Sequence, residues 1–109
     1  MNEHILISLI NVINKRKHAS LDKSYTAQLL DDPNLLAKKI GEESSELIVD
    51  LINKNKTGII NESADLLYHL LVSWVASGIN PEEIWRELAK RTLKSGIDEK
   101  KSRKKNENL

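Results

Sequence analysis

The stretch from Ile59 to Ser77, IINESADLLYHLLVSWVAS, most restricts how this chain can fold, because it is almost wholly apolar yet carries Glu62, Asp65 and His69. At about 100° per residue, these three and Ser73 share one narrow stripe. Leu66, Leu67, Leu70, Leu71, Val72, Trp74 and Val75 occupy most of the remaining circumference. A helix apolar nearly all round is normally buried, and an ionised carboxylate in such a place is costly unless something pairs with it. Acids at i and i+3 therefore need a partner. A Lys or Arg from a neighbouring helix would serve, as would water if the stripe faces outward.

A second acidic group lies upstream. Asp32 is placed to cap a helix with Pro33 at its first position, and the helix runs to about Asn53. Leu36, Ile40, Leu47, Ile48 and Leu51 share one face of it, and Glu42, Glu43, Glu46 and Asp50 share the opposite side. Like charges at i and i+4 oppose helix formation, and Lys38 and Lys39 precede the acids in the less favourable order, so local pairing is not expected to explain the cluster. A multivalent cation would explain it. Asn55 to Gly58 reads as a turn, and a hairpin closed there sets Glu43-x-x-Glu46 opposite Glu62-x-x-Asp65.

The rest of the chain reads as helix too. His4 to Lys17 has Ile5, Leu6, Leu9, Ile10, Val12 and Ile13 at helical spacing, with basic residues in its last turn. Ser24-Tyr25-Thr26 leads into a helical turn or two. Gly78 ends the central helix, and Asn80, Pro81 and Glu83 open a last one to about Leu93. No stretch alternates like a strand. The expectation is one all-α domain over residues 1–109, an antiparallel bundle of four or five helices with a basic tail from about residue 96.

Composition removes several function classes. There is no Cys, so thiolate metal sites, disulfides and thiol nucleophiles are excluded, and any metal must bind oxygen or imidazole. The net charge is +1, from 17 Lys and Arg against 16 Asp and Glu, far from the basic excess of a nucleic-acid-binding domain. The apolar runs are too short for a bilayer, and Glu3 precedes the first of them, unlike a secretory signal. A cytoplasmic chain without nucleic-acid or membrane partners is expected. All-oxygen ligands select Mg²⁺, or Mn²⁺, and Mg²⁺ is commonly completed by substrate phosphates. The scattered glycines make no phosphate-cradling loop.

These residues carry a resemblance. Glu-x-x-Glu, a spacer and Glu-x-x-Asp resemble the motif of the all-α MazG-like nucleoside triphosphate pyrophosphatases, in which such acids hold Mg²⁺ against the phosphate chain. SYTAQLL at 24–30, KKIGEESSELI at 38–48, ESADLLYHLLV at 62–72, and ELAKR with KSGIDEKKSR at 87–103 resemble its phosphoribosyl-ATP pyrophosphatase family, of histidine biosynthesis. The resemblance implies Glu43, Glu46, Glu62 and Asp65 as metal ligands, Glu42 as a further or water-mediated contact, and Glu42 or Glu46 as proton acceptor. It implies Mg²⁺-dependent hydrolysis of phosphoribosyl-ATP to phosphoribosyl-AMP and pyrophosphate. Contacts to substrate are expected from Arg16, Tyr25, Lys39, Arg91, Lys100 and Arg103. Some members are fused to a cyclohydrolase domain, for which 109 residues leave no room.

Two other readings stay open at this point: a pyrophosphatase that clears ordinary or damaged nucleotides with the same site, and a non-catalytic helical module whose acids are salt-bridged. His69 reads as a structural histidine in preference to one that orients a carboxylate. Asp50 stands where the family has a small residue. The apolar central helix predicts a homodimer, with Ile59 to Ser77 near its interface.

Overall fold

A computed structural model describes residues 2–93. Among the described residues there are five α-helices, a 3-10 turn and no strand: α1 (Asn2–Lys15), the turn Arg16–His18, α2 (Tyr25–Asp31), α3 (Pro33–Ile52), α4 (Lys56–Ala76) and α5 (Pro81–Thr92). The chain divides into two compact units, Met1–Ile79 and Asn80–Leu109.

In the first unit, side-chain caps set the helix boundaries. Ser24 Oγ accepts the Ala27 N–H at 3.1 Å and starts α2. Asp32 ends that helix and starts the next, its Oδ1 accepting the N–H groups of Asn34 and Leu35, each at 3.1 Å, ahead of Pro33. These bonds satisfy donors that the first turn would otherwise leave unpaired.

The α3–α4 connection is tighter than the expected Asn55–Gly58 turn. Lys54 adopts a left-handed φ of 54°. Its N–H donates to Leu51 O at 3.2 Å and that of Asn55 to Asp50 O at 2.9 Å, the paired closure typical of a helix C-terminus. Asn55 Oδ1 then accepts the Gly58 N–H at 3.1 Å, so α4 starts at Lys56 and Gly58 lies inside its first turn. The same closure ends α4, where Gly78 supplies the positive φ.

The core gathers Ile10 and Ile13 of α1, Leu29 of α2, Leu36 of α3, and Leu71, Val72 and Val75 of α4. It therefore sits at the end of the α3–α4 hairpin away from its tip. The buried residues of α4 all fall in its second half. The other half is covered less within one chain: Ile60 is 68% and Leu67 46% exposed, and on α3 Ile48 is 56% and Ile52 75% exposed. Among the described residues, cover is supplied to only one half of this long hairpin. No helix among the described residues is long and apolar enough to cross a membrane.

In the second unit, α5 opens with a full capping box. The Asn80 side chain accepts the Glu82 N–H, and Glu83 Oε2 accepts the Asn80 N–H, each at 2.9 Å. Arg91 Nε donates to Glu87 at 3.2 Å one turn apart.

Lys54 gives a direct test of the hairpin closure. A non-glycine residue in the left-handed region costs about 1–2 kcal/mol, of which glycine's greater unfolded entropy returns part. Lys54→Gly is expected to stabilise the protein by about 0.5–1 kcal/mol in urea denaturation, with an unchanged m-value. A loss of stability would show that the Lys54 side chain holds the turn by a contact of its own.

Candidate metal centre between α3 and α4

The short connection fixes the register of the hairpin, and the register brings the acids together. Asp50 packs its carboxylate on Gly58. Four residues further from the tip, Glu46 meets Glu62. Three further still, Glu43 meets Asp65. The two helices step in opposite senses through the same intervals, as an antiparallel pair with helical periodicity must.

Glu43, Glu62 and Asp65 each offer a carboxylate oxygen, and the three oxygens lie within 4.8 Å of one another. Glu62 Oε2 is buried and has no hydrogen-bond partner among the described residues. The close approach of the Glu46 carboxylate, then burial, then Glu43 push the Glu62 carboxyl up to about 7. Clustered carboxylates cannot all ionise without a counter-charge, so they hold a proton instead. The ion pairs among the described residues, Lys39–Glu42 at 3.4 Å and Arg91–Glu87 at 3.2 Å, involve none of these acids. An unpartnered buried oxygen among all-oxygen donors from two helices fits a hard divalent cation. Beside it, Ser45, Glu46, Val49, Asp50 and Glu62 line a cavity of about 320 Å³.

The four acids of α3 do not act as one face. Glu42 turns outward and pairs with Lys39, whose ammonium is held above its usual range chiefly by that bond. Local pairing, which the order of charges argued against, therefore accounts for Glu42 and leaves Glu43 and Glu46 to face α4. Asp50 belongs to the hairpin tip, where its Oδ1 also accepts from Asn55 Nδ2 at 3.3 Å.

Tyr25 and His69 border the acids. His69 is 5% exposed, and both ring nitrogens are engaged: Nδ1 with the Asp65 carbonyl at 2.7 Å and Nε2 with the Tyr25 hydroxyl at 2.8 Å. Burial pushes the Tyr25 phenol above its usual range, Lys39 pulls it down, and Tyr68, Glu43 and Glu42 add to the rise. Thr26 Oγ1 bonds the Tyr68 hydroxyl, so successive residues of the Ser24-Tyr25-Thr26 run start α2 and dock it on α4. The pairing of Tyr25 with His69 was not anticipated from sequence. Its available signal was the position of His69 one turn beyond Asp65 on the polar stripe.

Arg16 is exposed on the 3-10 turn, and Arg91 is exposed on α5 in the second unit. Lys100 and Arg103 lie outside the described residues.

Residues 6–92 match the profile of the phosphoribosyl-ATP pyrophosphohydrolase family. A phosphoribosyl-ATP pyrophosphatase of Paramagnetospirillum magneticum is 50% identical over 93% of this chain and 94% of its own length. One of Azospirillum brasilense is 41% identical over 92% of this chain and 91% of its own. A histidine biosynthesis bifunctional protein of Helicobacter hepaticus is 45% identical over 93% of this chain, which spans 44% of that longer protein. With an all-α fold, a hairpin that gathers Glu43, Glu62 and Asp65, and a match over most of its length, the chain belongs to the phosphoribosyl-ATP pyrophosphohydrolase family, of MazG-like fold.

Proposed function

We propose that this chain hydrolyses phosphoribosyl-ATP to phosphoribosyl-AMP and pyrophosphate, in the cytoplasm and with Mg²⁺. The unpartnered Glu62 oxygen among the carboxylates of Glu43, Glu46 and Asp65 carries the reading. These four acids hold the cation. Bound Mg²⁺, or Mn²⁺, supplies positive charge against the triphosphate and makes nearby water more acidic. A water oxygen attacks the α-phosphorus, the bond to the bridging oxygen breaks, and pyrophosphate leaves with that oxygen. Glu46 takes the water's proton, because Glu42 is committed to Lys39. Arg16, Lys39, Arg91, Lys100 and Arg103 are the candidates for contacting the phosphates. No nucleic acid or bilayer is involved.

A direct assay decides between this and the neighbouring activity. Pyrophosphate should be released with Mg²⁺ from phosphoribosyl-ATP and not from ATP or dNTPs. Release from dNTPs would point to nucleotide clearance, and none from any substrate to a non-catalytic module.

The metal carries its own prediction. Glu62 has a raised pKa in the folded protein, so between its ordinary 4.5 and about 7 the folded state binds more protons than the unfolded one. Metal-free stability should accordingly fall as pH rises through that window. At pH 8, Mg²⁺ is expected to raise Tm more than NaCl of equal ionic strength does, and the gain should shrink at pH 6, where the cation must displace the Glu62 proton. Glu62→Gln should flatten both responses and abolish turnover. A Mg²⁺ response that survives this substitution would place the ion elsewhere.

A homodimer completes the proposal. Ile48, Val49, Leu51 and Ile52 of α3 and Ile60, Leu67 and Leu70 of α4 are all exposed, an apolar face of the kind that marks an interface. Sedimentation at micromolar concentration should give a dimer mass, and Ile52→Glu with Ile60→Glu should shift it to monomer. A monomeric wild type with full activity would exclude this assembly.

A further inference from the structure

The hydroxyl of Tyr25, beside the acids, has a proton that is already committed. His69 Nδ1 lies 2.7 Å from the Asp65 carbonyl, which can only accept, so Nδ1 carries a proton. In the neutral ring Nε2 then has none, and the Tyr25 hydroxyl 2.8 Å away donates to it. The ring cannot turn to offer the opposite arrangement without breaking its bond to α4, and it is buried. Tyr25 itself is 44% exposed, and its oxygen lies where the charges of Lys39, Glu43 and Glu42 act on it. That oxygen therefore faces the site with lone pairs only. An ionised phosphate near pH 8 has no proton to give such an oxygen, whereas a sugar hydroxyl has one.

We infer that Tyr25 recognises a ribose hydroxyl of the substrate by accepting its hydrogen bond, and that His69 is the positioning residue that turns the Tyr25 proton away from the site to make this possible. The inference rests on the proposed function, which supplies a substrate with ribose on both sides of the adenine. It assigns Tyr25 to the sugar and leaves the phosphates to the cations.

The test uses the full chain with Mg²⁺ at pH 8, phosphoribosyl-ATP, and analogues in which one ribose hydroxyl at a time is replaced by hydrogen. Wild type should lose about tenfold on one analogue, through KM, as expected for a lost hydrogen bond. Tyr25→Phe should show that loss on the parent substrate and no further loss on the same analogue. His69→Leu should behave like Tyr25→Phe. His69→Gln, whose amide oxygen accepts the phenol proton, should restore discrimination. Nitrogen-15 spectra of the free protein should show the Nδ1–H tautomer of His69, a signature that packing alone does not require.

Tyr25→Phe costing the same on the parent and every analogue, or an Nε2–H tautomer at His69, would overturn the inference while leaving the proposed function standing. No pyrophosphate from wild type with any of these substrates would overturn both. If His69→Leu fails to fold, the Tyr25→Phe comparison and the tautomer decide.

Discussion

The antiparallel register of α3 on α4 is the constraint on which the site depends. A two-helix hairpin with a short connection has little freedom to slide, because moving one helix by a residue rotates its side chains by about 100° away from their partners. In the observed register the Asp50 carboxylate packs on Gly58, Glu62 meets Glu46, and Asp65 meets Glu43. Leu36 and Val72, further from the tip at matching intervals, both join the core. The apolar end thereby fixes what the acidic middle presents. The left-handed Lys54 and the cap at Asn55 set the register from the other end.

Gathering carboxylates works against folding, and the structure shows where the cost falls. Glu62 has a buried oxygen without a partner and a carboxyl pushed up to about 7, so in the absence of a cation the site is relieved by a proton. The core supplies the opposing stability, with Ile13, Leu29, Leu71 and Val72 fully buried at the opposite end of the hairpin. Separating the two along the same helices lets a repulsive cluster persist in a small domain. It also explains why the acids lie on regular helix, where backbone hydrogen bonds hold them at fixed intervals.

Much of this was legible in the sequence because it depends on period and caps. Asp32-Pro33, Asn80-Pro81 with Glu83, and Gly78 mark helix ends through local bonds, and each does so in the structure. The pairing of Glu43 and Glu46 with Glu62 and Asp65 follows from the helical interval once a hairpin is assumed. Two features were not legible. The α3–α4 turn was placed too late, since a lysine in the left-handed region leaves no glycine to mark it. How much of α4 this chain itself buries was the other, because an apolar circumference records what a helix is able to bury and does not say whether the same chain supplies the cover.

Tyr25 illustrates a further limit. Its place beside a polar turn made it a candidate, but the role we infer for it depends on a proton whose direction is set by His69, on another helix, and by a backbone carbonyl one turn away. No spacing rule encodes that. The same hydroxyl is free to donate to a ligand if its neighbour is a donor, and can only accept from one when its neighbour is an acceptor. The docking of α2 on α4 through Tyr25–His69 and Thr26–Tyr68 is thus both a packing contact and the step that fixes the polarity of one edge of the site. What such a hydroxyl can recognise is therefore set by the geometry of the scaffold as much as by the identity of the residue that carries it.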